Sequence, residues 1–195
     1  MPTGPGGLDA NGVWQYGEDD TEALASDLLN LGMGSVSTVV GGLGAPTILQ
    51  VVSTTKTDTF ATTSTTDVDV TGLSATITPR STSSKILVLV SAPFSTTTNQ
   101  INSITLTRGG TPIGGGTIVG SRTSAFKSAY LTSVNTGGML SGEHLDSPST
   151  TSSITYQVQA KTSAGTMTIG ISGGDSNAAN HPRTSSTITL MEVAG

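Results

Sequence analysis

The sequence predicts an all-β chain: an antiparallel β-sandwich of about eight strands, most simply a jelly roll, behind an extended or helical N-terminal arm. Apolar and polar residues alternate in many segments after residue 47, as they do in strands with one buried face. Turn-forming Gly and Pro residues recur roughly every 8–12 residues, the spacing of a sandwich or barrel. The chain also holds 35 Thr and 26 Ser among 195 residues, and the branched Cβ of Thr suits a pleated strand.

The charges divide the chain into two parts. Residues 1–46 carry six acidic residues and no Lys or Arg, whereas residues 47–195 carry eight basic and seven acidic residues. A Gly-rich stretch at residues 41–46 ends the acidic part. This change in composition predicts an N-terminal attachment arm and linker over residues 1–46 and a β-sandwich head domain over residues 47–195.

One helix is predicted in the arm. Asp19 and Glu22 form a capping-box pattern, and leucines 24, 28 and 31 share one helical face. A helix of about three turns needs a surface to pack on, because isolated helices of that length are marginal in water. Two interpretations are open: the arm packs on its own body, or it docks the protein on a larger assembly. For docking, the predicted contact residues are Trp14, Tyr16, Leu24, Leu28, Leu31 and Met33.

Four segments of the body alternate with a two-residue period and predict half-buried strands. Their apolar sets are Leu73, Ala75 and Ile77; Ile104 and Leu106; Ile154, Tyr156, Val158 and Ala160; and Met167, Ile169 and Ile171. A disordered mucin-like stalk is the alternative for a Ser/Thr-rich chain. The alternation argues against a stalk for the body, although Thr54–Thr66 alone fits a low-complexity loop.

Two further segments depart from simple alternation. Ile86–Val90 is apolar at every position, which predicts a central strand covered on both faces. In the C-terminal segment Ile188–Val193 the alternation slips at Met191. That slip predicts either a bulge or a terminal strand buried at an interface.

One pattern matches a catalytic motif. Gly170–Gly174 fits the G-x-S-x-G nucleophile elbow with Ser172 as nucleophile, and Asp175 and His181 follow in the order of a hydrolase triad. An elbow requires a strand-to-helix turn, whereas residues 175–182 have no helical apolar period and end in a proline. We therefore expect a strand followed by a loop, and no catalytic residue.

A second cluster, Glu143–Asp146, places His144 among acidic residues that could serve as metal ligands or acid–base groups. With two histidines and no cysteine in the chain, a closed metal site lacks partners. We expect a solvated loop here, with no metal and no cofactor.

Composition also excludes several function classes. The net charge is −5 and the basic residues are scattered singly, which argues against nucleic-acid binding. The longest apolar run is far shorter than the roughly 20 residues that span a bilayer. The N-terminus has neither the basic start nor the apolar region of a signal peptide. We expect a protein made in the cytoplasm, without membrane insertion.

Two N-terminal segments carry a resemblance to a known family. Gly12–Asp20 (GVWQYGEDD) and Ala25–Met33 (ASDLLNLGM) resemble the opening of small structural proteins of tailed bacteriophages. Three segments of the body also resemble sequence segments found in proteins of the same family: Ser83–Val88, Leu145–Thr151 and Ser186–Val193. The resemblance implies a non-enzymatic virion protein: a head fibre, capsid decoration, tail fibre or minor tail protein. It further implies an N-terminal segment attached to phage capsid or tail proteins, a displayed β-rich head and, often, a homotrimer.

A second function, of a different class, is recognition of a host-surface glycan or protein by the head, as in the adhesion module of a tail fibre. Carbohydrate sites commonly use exposed aromatic side chains. The best surface candidates in the body are Phe94, Phe126 and Tyr130. Tyr156 belongs to an alternating apolar set and is expected in the core.

Overall fold

The protein is described from a computed structural model. The structure describes residues 47–133, 136–171, 173–174, 176–179 and 181–195, together with the backbone of residues 7–8 and 14–15. The chain divides into two compact units, Met1–Ala45 and Pro46–Gly195. In the first unit, β1 (Gly7–Leu8) pairs antiparallel with β2 (Trp14–Gln15). The helix predicted after Asp19 lies outside the described residues.

The second unit, called the body below, is built from strands joined by turns and loops. Its described strands are β3 (Ile48–Lys56), β4 (Phe60–Thr62), β5 (Val68–Ile77), β6 (Lys85–Thr96), β7 (Gln100–Arg108), β8 (Thr111–Ile113), β9 (Lys127–Leu131), β10 (Gly137–Asp146), β11 (Ile154–Thr162), β12 (Met167–Ile169) and β13 (Ser186–Val193). No helix occurs in residues 47–195 as far as they are described.

The first sheet is four strands wide, with the long strand β6 in its interior. Strand β10 pairs along one edge of β6, and β13 and then β12 pair along its other edge. Strand β3 continues the sheet beside β13, and β4 continues it beside β12. Two positions across this sheet are therefore interrupted strands, β3 with β4 and β12 with β13.

The second sheet has the order β5, β11, β7, with β8 and β9 both pairing along the outer edge of β7. If β3 with β4, β8 with β9, and β12 with β13 are each counted as one interrupted strand, the eleven described strands of the body become eight in chain order. The sheets then have the orders 1-8-3-6 and 2-7-4-5, with antiparallel pairing throughout. This is the strand order of a jelly roll, so the predicted fold is confirmed.

The core lies between the two sheets, where alternate side chains of facing strands meet. In the first sheet, Ile86, Val88, Val90, Ala92 and Phe94 of β6 all point inward and are buried. Full burial of each Ile, Val or Phe side chain in this set stabilises the fold by about 1.5–3 kcal/mol. The four predicted alternating sets are buried in this core except Ile154, which is partly buried against it, and Ile171, which is buried but lies outside the core cluster.

Serine and threonine side chains cover much of the outward surface of the strands and pair across them. The hydroxyls of Thr76 and Thr155 lie 2.8 Å apart on neighbouring strands β5 and β11, and those of Ser53 and Thr189 lie 2.8 Å apart on β3 and β13. Cross-strand hydroxyl pairs of this kind add about 0.2–1 kcal/mol each. The low-complexity alternative for Thr54–Thr66 is wrong for the end of β3 and for β4, which take up six of its 13 residues.

Two expectations about the first sheet need correction. Strand β6 is interior to the sheet as predicted, but Leu87 and Leu89 on its other face are only half-buried rather than covered. In β13 the alternation continues through Met191, and the register shift falls one step later, between Glu192 and Val193. The apparent slip arises because a charged residue, Glu192, occupies an inward position and is fully buried.

Candidate functional site

The predicted nucleophile elbow falls in the loop that joins β12 to β13. Ser172 and Asp175 lie outside the described residues. Residues 176–179 form bends and a turn, and no helix follows β12 in the described residues of this loop. His181 Nδ1 hydrogen-bonds the hydroxyl of Ser176. The described residues therefore do not supply the strand-to-helix turn that an elbow requires.

The Glu143–Asp146 cluster is not a solvated loop, as expected from the sequence, but the end of strand β10. The alternation of the strand places Glu143 and Leu145 on the outward side and His144 and Asp146 on the inward side. The two acids therefore cannot converge on one ligand. Among the described residues no group of three or more His, Cys, Asp or Glu side chains is arranged to hold a metal ion.

Asp146 joins the two sheets through a buried hydrogen-bonded network. Arg108 Nη1 of β7 lies 2.9 Å from both carboxylate oxygens, and the Tyr156 hydroxyl of β11 donates to Oδ2 at 2.7 Å. Burial, followed by the hydrogen bond to the Asp146 carboxylate, raises the pKa of Tyr156 far above its ordinary value. Tyr156 thus stays protonated as a hydrogen-bond donor, and the network is a structural clamp rather than a proton-transfer site.

Glu192, near the end of β13, is likewise held by hydrogen bonds to its carboxylate. Its carboxylate accepts hydrogen bonds from Gln50 Nε2 at 2.5 Å and from the Arg80 backbone amide at 2.7 Å. Burial acts to raise the pKa of Glu192, but these hydrogen bonds to the ionised form outweigh it, and the net pKa lies below the ordinary value. The buried charge holds strand β3 and the β5–β6 loop against the C-terminal strand.

A cavity of about 490 Å³ lies beside the loop between β8 and β9, within the range of roughly 300–1,000 Å³ typical of small-ligand sites. Its apolar lining includes Ile113 and Phe126. On its polar side, Asp67 accepts a hydrogen bond from the Thr105 hydroxyl at 2.8 Å. Asp67 also forms an ion pair with Lys161 Nζ at 2.9 Å. Asp67 and Lys161 neutralise each other, and Arg122, which also lines the cavity, adds one positive charge beside the hydroxyl and carboxylate groups.

The aromatic residues predicted for receptor contact do not share one surface. Phe94 is fully buried and Phe126 is 7% exposed, both within the core, so their selection as surface residues is wrong. Phe94 lies within β6, which continues through both Pro93 and Phe94. Tyr130 on β9 is 59% exposed, beside its cross-strand partner Ile101. A contact of Tyr130 with a receptor stays a prediction.

A row of apolar side chains crosses the outer face of the first sheet, the face turned away from the second sheet. Strands β3, β13, β6 and β10 each contribute one residue, and the registers place all four side by side. We call this set the outer row: Val51, Met191, Leu87 and Leu145. Val51 is 54% exposed and Leu145 49% exposed, while Met191 and Leu87 are half-buried. The row extends about 14 Å across the sheet.

More apolar residues adjoin the outer row, while small hydroxyl residues cover most of the remaining face. Ile48 and Val193 pair next to it at one end, and Leu89 lies next to Leu87 along β6. Contiguous exposed apolar surface of this kind marks sites of protein–protein contact. The outer row was not predicted from the sequence, although the sequence carries two signals of it: the uninterrupted apolar run in β6 and the apolar residue at Met191.

The residues predicted for attachment cannot be placed as a site. Trp14 is described only as backbone in β2, and Tyr16, Leu24, Leu28, Leu31 and Met33 lie outside the described residues. Their role in attachment stays a prediction. No helix in the described part of the chain is long and apolar enough to cross a membrane.

Comparison with known proteins gives structural similarity only. No protein-family model and no curated protein sequence matches the chain. Among solved structures, this chain is similar to a chain of the T13 viral particle of infectious bursal disease virus. The two share 18% identity with a TM-score of 0.40, and the match covers 74% of this chain and 37% of the viral chain. It is also similar to a chain of the T=1 particles derived from that virus, with 16% identity and a TM-score of 0.40. That match covers 77% of this chain and 38% of the viral chain. The chain therefore spans less than half the length of these solved chains, and the fold assignment rests on its own strand pairings.

Proposed function

We propose that the chain is a non-enzymatic structural protein of a virus particle, of the tailed-bacteriophage type, such as a head fibre, capsid decoration, tail fibre or minor tail protein. In this proposal residues 1–46 attach it to capsid or tail proteins, and the jelly-roll body is displayed and assembles with other copies. The observation that carries the proposal is the outer row, an apolar assembly surface on a body with few charges.

The outer face supports assembly because apolar and hydroxyl side chains outnumber charged ones on it. Burying Val, Leu and Met side chains is favourable, whereas burying an unpaired charge is costly. One charge lies on each side of the outer row, Lys85 and Glu143, and the other residues directly beside the row are Ile48, Val193, Leu89, Ser53 and Thr189. The row beyond them consists of Thr55, Thr187, Ser91 and Ser141, whose short side chains let another surface approach closely.

The polar groups of the body support a structural role rather than a catalytic one. Asp146 is held by Arg108 and Tyr156, and Glu192 is held by Gln50 and a backbone amide. A general acid or base needs a pKa near the working pH and access to substrate. Both carboxylates are buried, and the pKa of Glu192 is lowered away from neutrality.

Incorporation into particles tests the proposal. Particles produced with the full chain are purified, and the protein is quantified by mass spectrometry against the major capsid protein. We expect stoichiometric incorporation of the full chain and loss of incorporation when residues 1–40 are deleted. A Trp14→Ala, Leu28→Asp variant should also lose incorporation, whereas the matched arm variant Ser37→Ala should not. Absence of the full chain from purified particles, or full incorporation of the deletion variant, would overturn the proposal.

A second candidate function, recognition of a host-surface glycan, is favoured by the cavity beside the β8–β9 loop. Thr105 and the Asp67 carboxylate provide hydrogen-bonding groups suited to sugar hydroxyls, beside apolar surface from Ile113. Arg122 also lines the cavity and is exposed. Binding of the purified full chain to permissive host cells should fall for Arg122→Ala and persist for the control Arg80→Ala. Equal binding of the two variants would contradict a site in this cavity.

A further inference from the structure

We propose that the outer face of the first sheet packs against the same face of a second copy of this chain, about a two-fold axis that runs along the outer row. This inference rests on the proposed function, since it names the partner of the assembly surface. In the contact, the outer rows of the two copies face each other directly. The two sheets then form a second sandwich, outside the jelly roll, of the kind that aligned sheets make about 10 Å apart.

The pattern of charge around the outer row supports a second copy as the partner. Lys85 precedes Leu87 by two residues on β6, and Glu143 precedes Leu145 by two residues on β10. Because β6 and β10 are antiparallel, these two charges lie on opposite sides of the outer row. Both are exposed, and neither forms an ion pair with another residue that the structure describes.

A two-fold axis along the row brings these opposite charges together. The rotation exchanges the two sides of the row, so Lys85 of one copy lies opposite Leu89 of the other copy. Glu143 pairs with Leu89 on the neighbouring strand, about 4.8 Å away across the sheet. Each copy thus contributes one Lys85 and one Glu143 to two reciprocal ion pairs. A self-complementary arrangement is the requirement of a two-fold contact.

The position of the axis limits the size of the contact. The outer row lies two residues from the start of β6 and two residues from the end of β13, and the rotation places each side of the row opposite the other side. About five residues of each of the four strands therefore face the partner, which is roughly 330 Å² per copy at strand spacings of about 4.8 Å and about 3.4 Å per residue. A standard stable interface buries about 800 Å² per partner, so we expect a weak dimer.

Sedimentation equilibrium of the full chain tests the contact. We expect a species of twice the 19.5 kDa chain mass at protein concentrations on the order of 100 μM, as a contact below the standard size implies. The variant Val51→Lys, Leu145→Lys should be monomeric over the same range, because it places four cationic groups in the contact. The matched control Ile118→Lys replaces a similarly exposed apolar residue on the β8–β9 loop and should leave the dimer unchanged. A dimer that tolerates the double substitution would overturn the proposal.

Charge exchange tests the geometry. Lys85→Glu and Glu143→Lys should each weaken dimerisation about tenfold or more, and the double exchange should restore most of the loss. Failure of the double exchange to restore affinity contradicts the two-fold arrangement. A monomeric or trimeric wild-type chain also overturns it, since a closed trimer joins two different patches. A monomeric chain that still enters particles would overturn only this contact, whereas a dimer that is absent from particles would overturn only the proposed function.

Discussion

The cross-sheet network around Asp146 should be the most sensitive polar element of the body. The substitution Asp146→Ala leaves the buried Tyr156 hydroxyl without an acceptor and the Arg108 guanidinium without a counter-charge. A buried hydroxyl without a partner costs about 1–3 kcal/mol, and loss of one member of a buried ion pair costs about 3–5 kcal/mol. Because the Arg108 side chain is 32% exposed, water replaces part of the lost interaction. We expect a loss of about 3 kcal/mol in the free energy of unfolding.

Urea unfolding monitored by far-UV circular dichroism measures this loss of stability. All variants are compared at the same protein concentration, because self-association would shift the unfolding equilibrium. The thermal midpoint should fall by about 6–12 °C for a domain of this size. Tyr156→Phe is the matched variant, since it removes one hydroxyl and leaves the Arg108–Asp146 pair in place; we expect a loss of about 1 kcal/mol. A loss below about 1 kcal/mol for Asp146→Ala, or equal losses for the two variants, would refute the assignment of Asp146 as the hub of the network.

Three other predictions test the core and the buried acid. Because the pKa of Glu192 is lower in the folded state, its stabilisation is present above the unfolded pKa of about 4.3 and is lost as the pH falls through the lowered value. Glu192→Gln should therefore show a smaller loss of stability on acidification than the wild type, in unfolding curves from neutral to acidic pH. Gly138→Val should destabilise the body by about 1–3 kcal/mol, because a Cβ there would lie 2.7 Å from Phe94 Cε1; the control Gly116→Ala meets no atom within 4 Å and should be near neutral. Phe94→Ala should cost about 3–5 kcal/mol in urea unfolding, and a near-neutral result would contradict its place in the core.

The sequence was sufficient to predict the class of fold and the strands with one apolar face. Strands β5 and β11 bury the residues that their alternation indicates, because local periodicity alone decides which side faces the core. Strand β10 could not be predicted in that way. Its inward positions near the end are His144 and Asp146, and its outward position between them is Leu145, so the usual pattern is reversed. Asp146 is tolerated inside only because Arg108 and Tyr156 reach it from the other sheet.

The extent of β6 was also beyond local reasoning. Pro93 cannot donate a backbone hydrogen bond, which predicts the end of a strand. Along this edge of β6, the pairing with β13 extends only as far as Ser91, and the pairing with β12 begins at Phe94. Pro93 therefore lies in the gap between the two partner strands. The Pro93 carbonyl still accepts a hydrogen bond from the Gly170 amide at 2.8 Å. The strand continues past the proline because the neighbouring position of the sheet is interrupted at the same level, a coincidence that only the tertiary fold reveals.

The reversed pattern of β10 and the continuous apolar run of β6 have one physical explanation in a two-fold assembly. A strand that is apolar on both faces is typical of a sheet covered on both sides, yet Leu87 and Leu89 are only half-buried in the single chain. Leu145, on the neighbouring strand, is apolar on the same outward side while its inward neighbours are polar. If the outer face packs on a second copy, the apolar side chains on both faces of the first sheet are buried. The second sheet covers the inner face, and the second copy covers Leu87, Leu89 and Leu145 on the outer face. The sequence of the first sheet then encodes two interfaces, an internal one closed by the Asp146 network and an external one centred on the outer row.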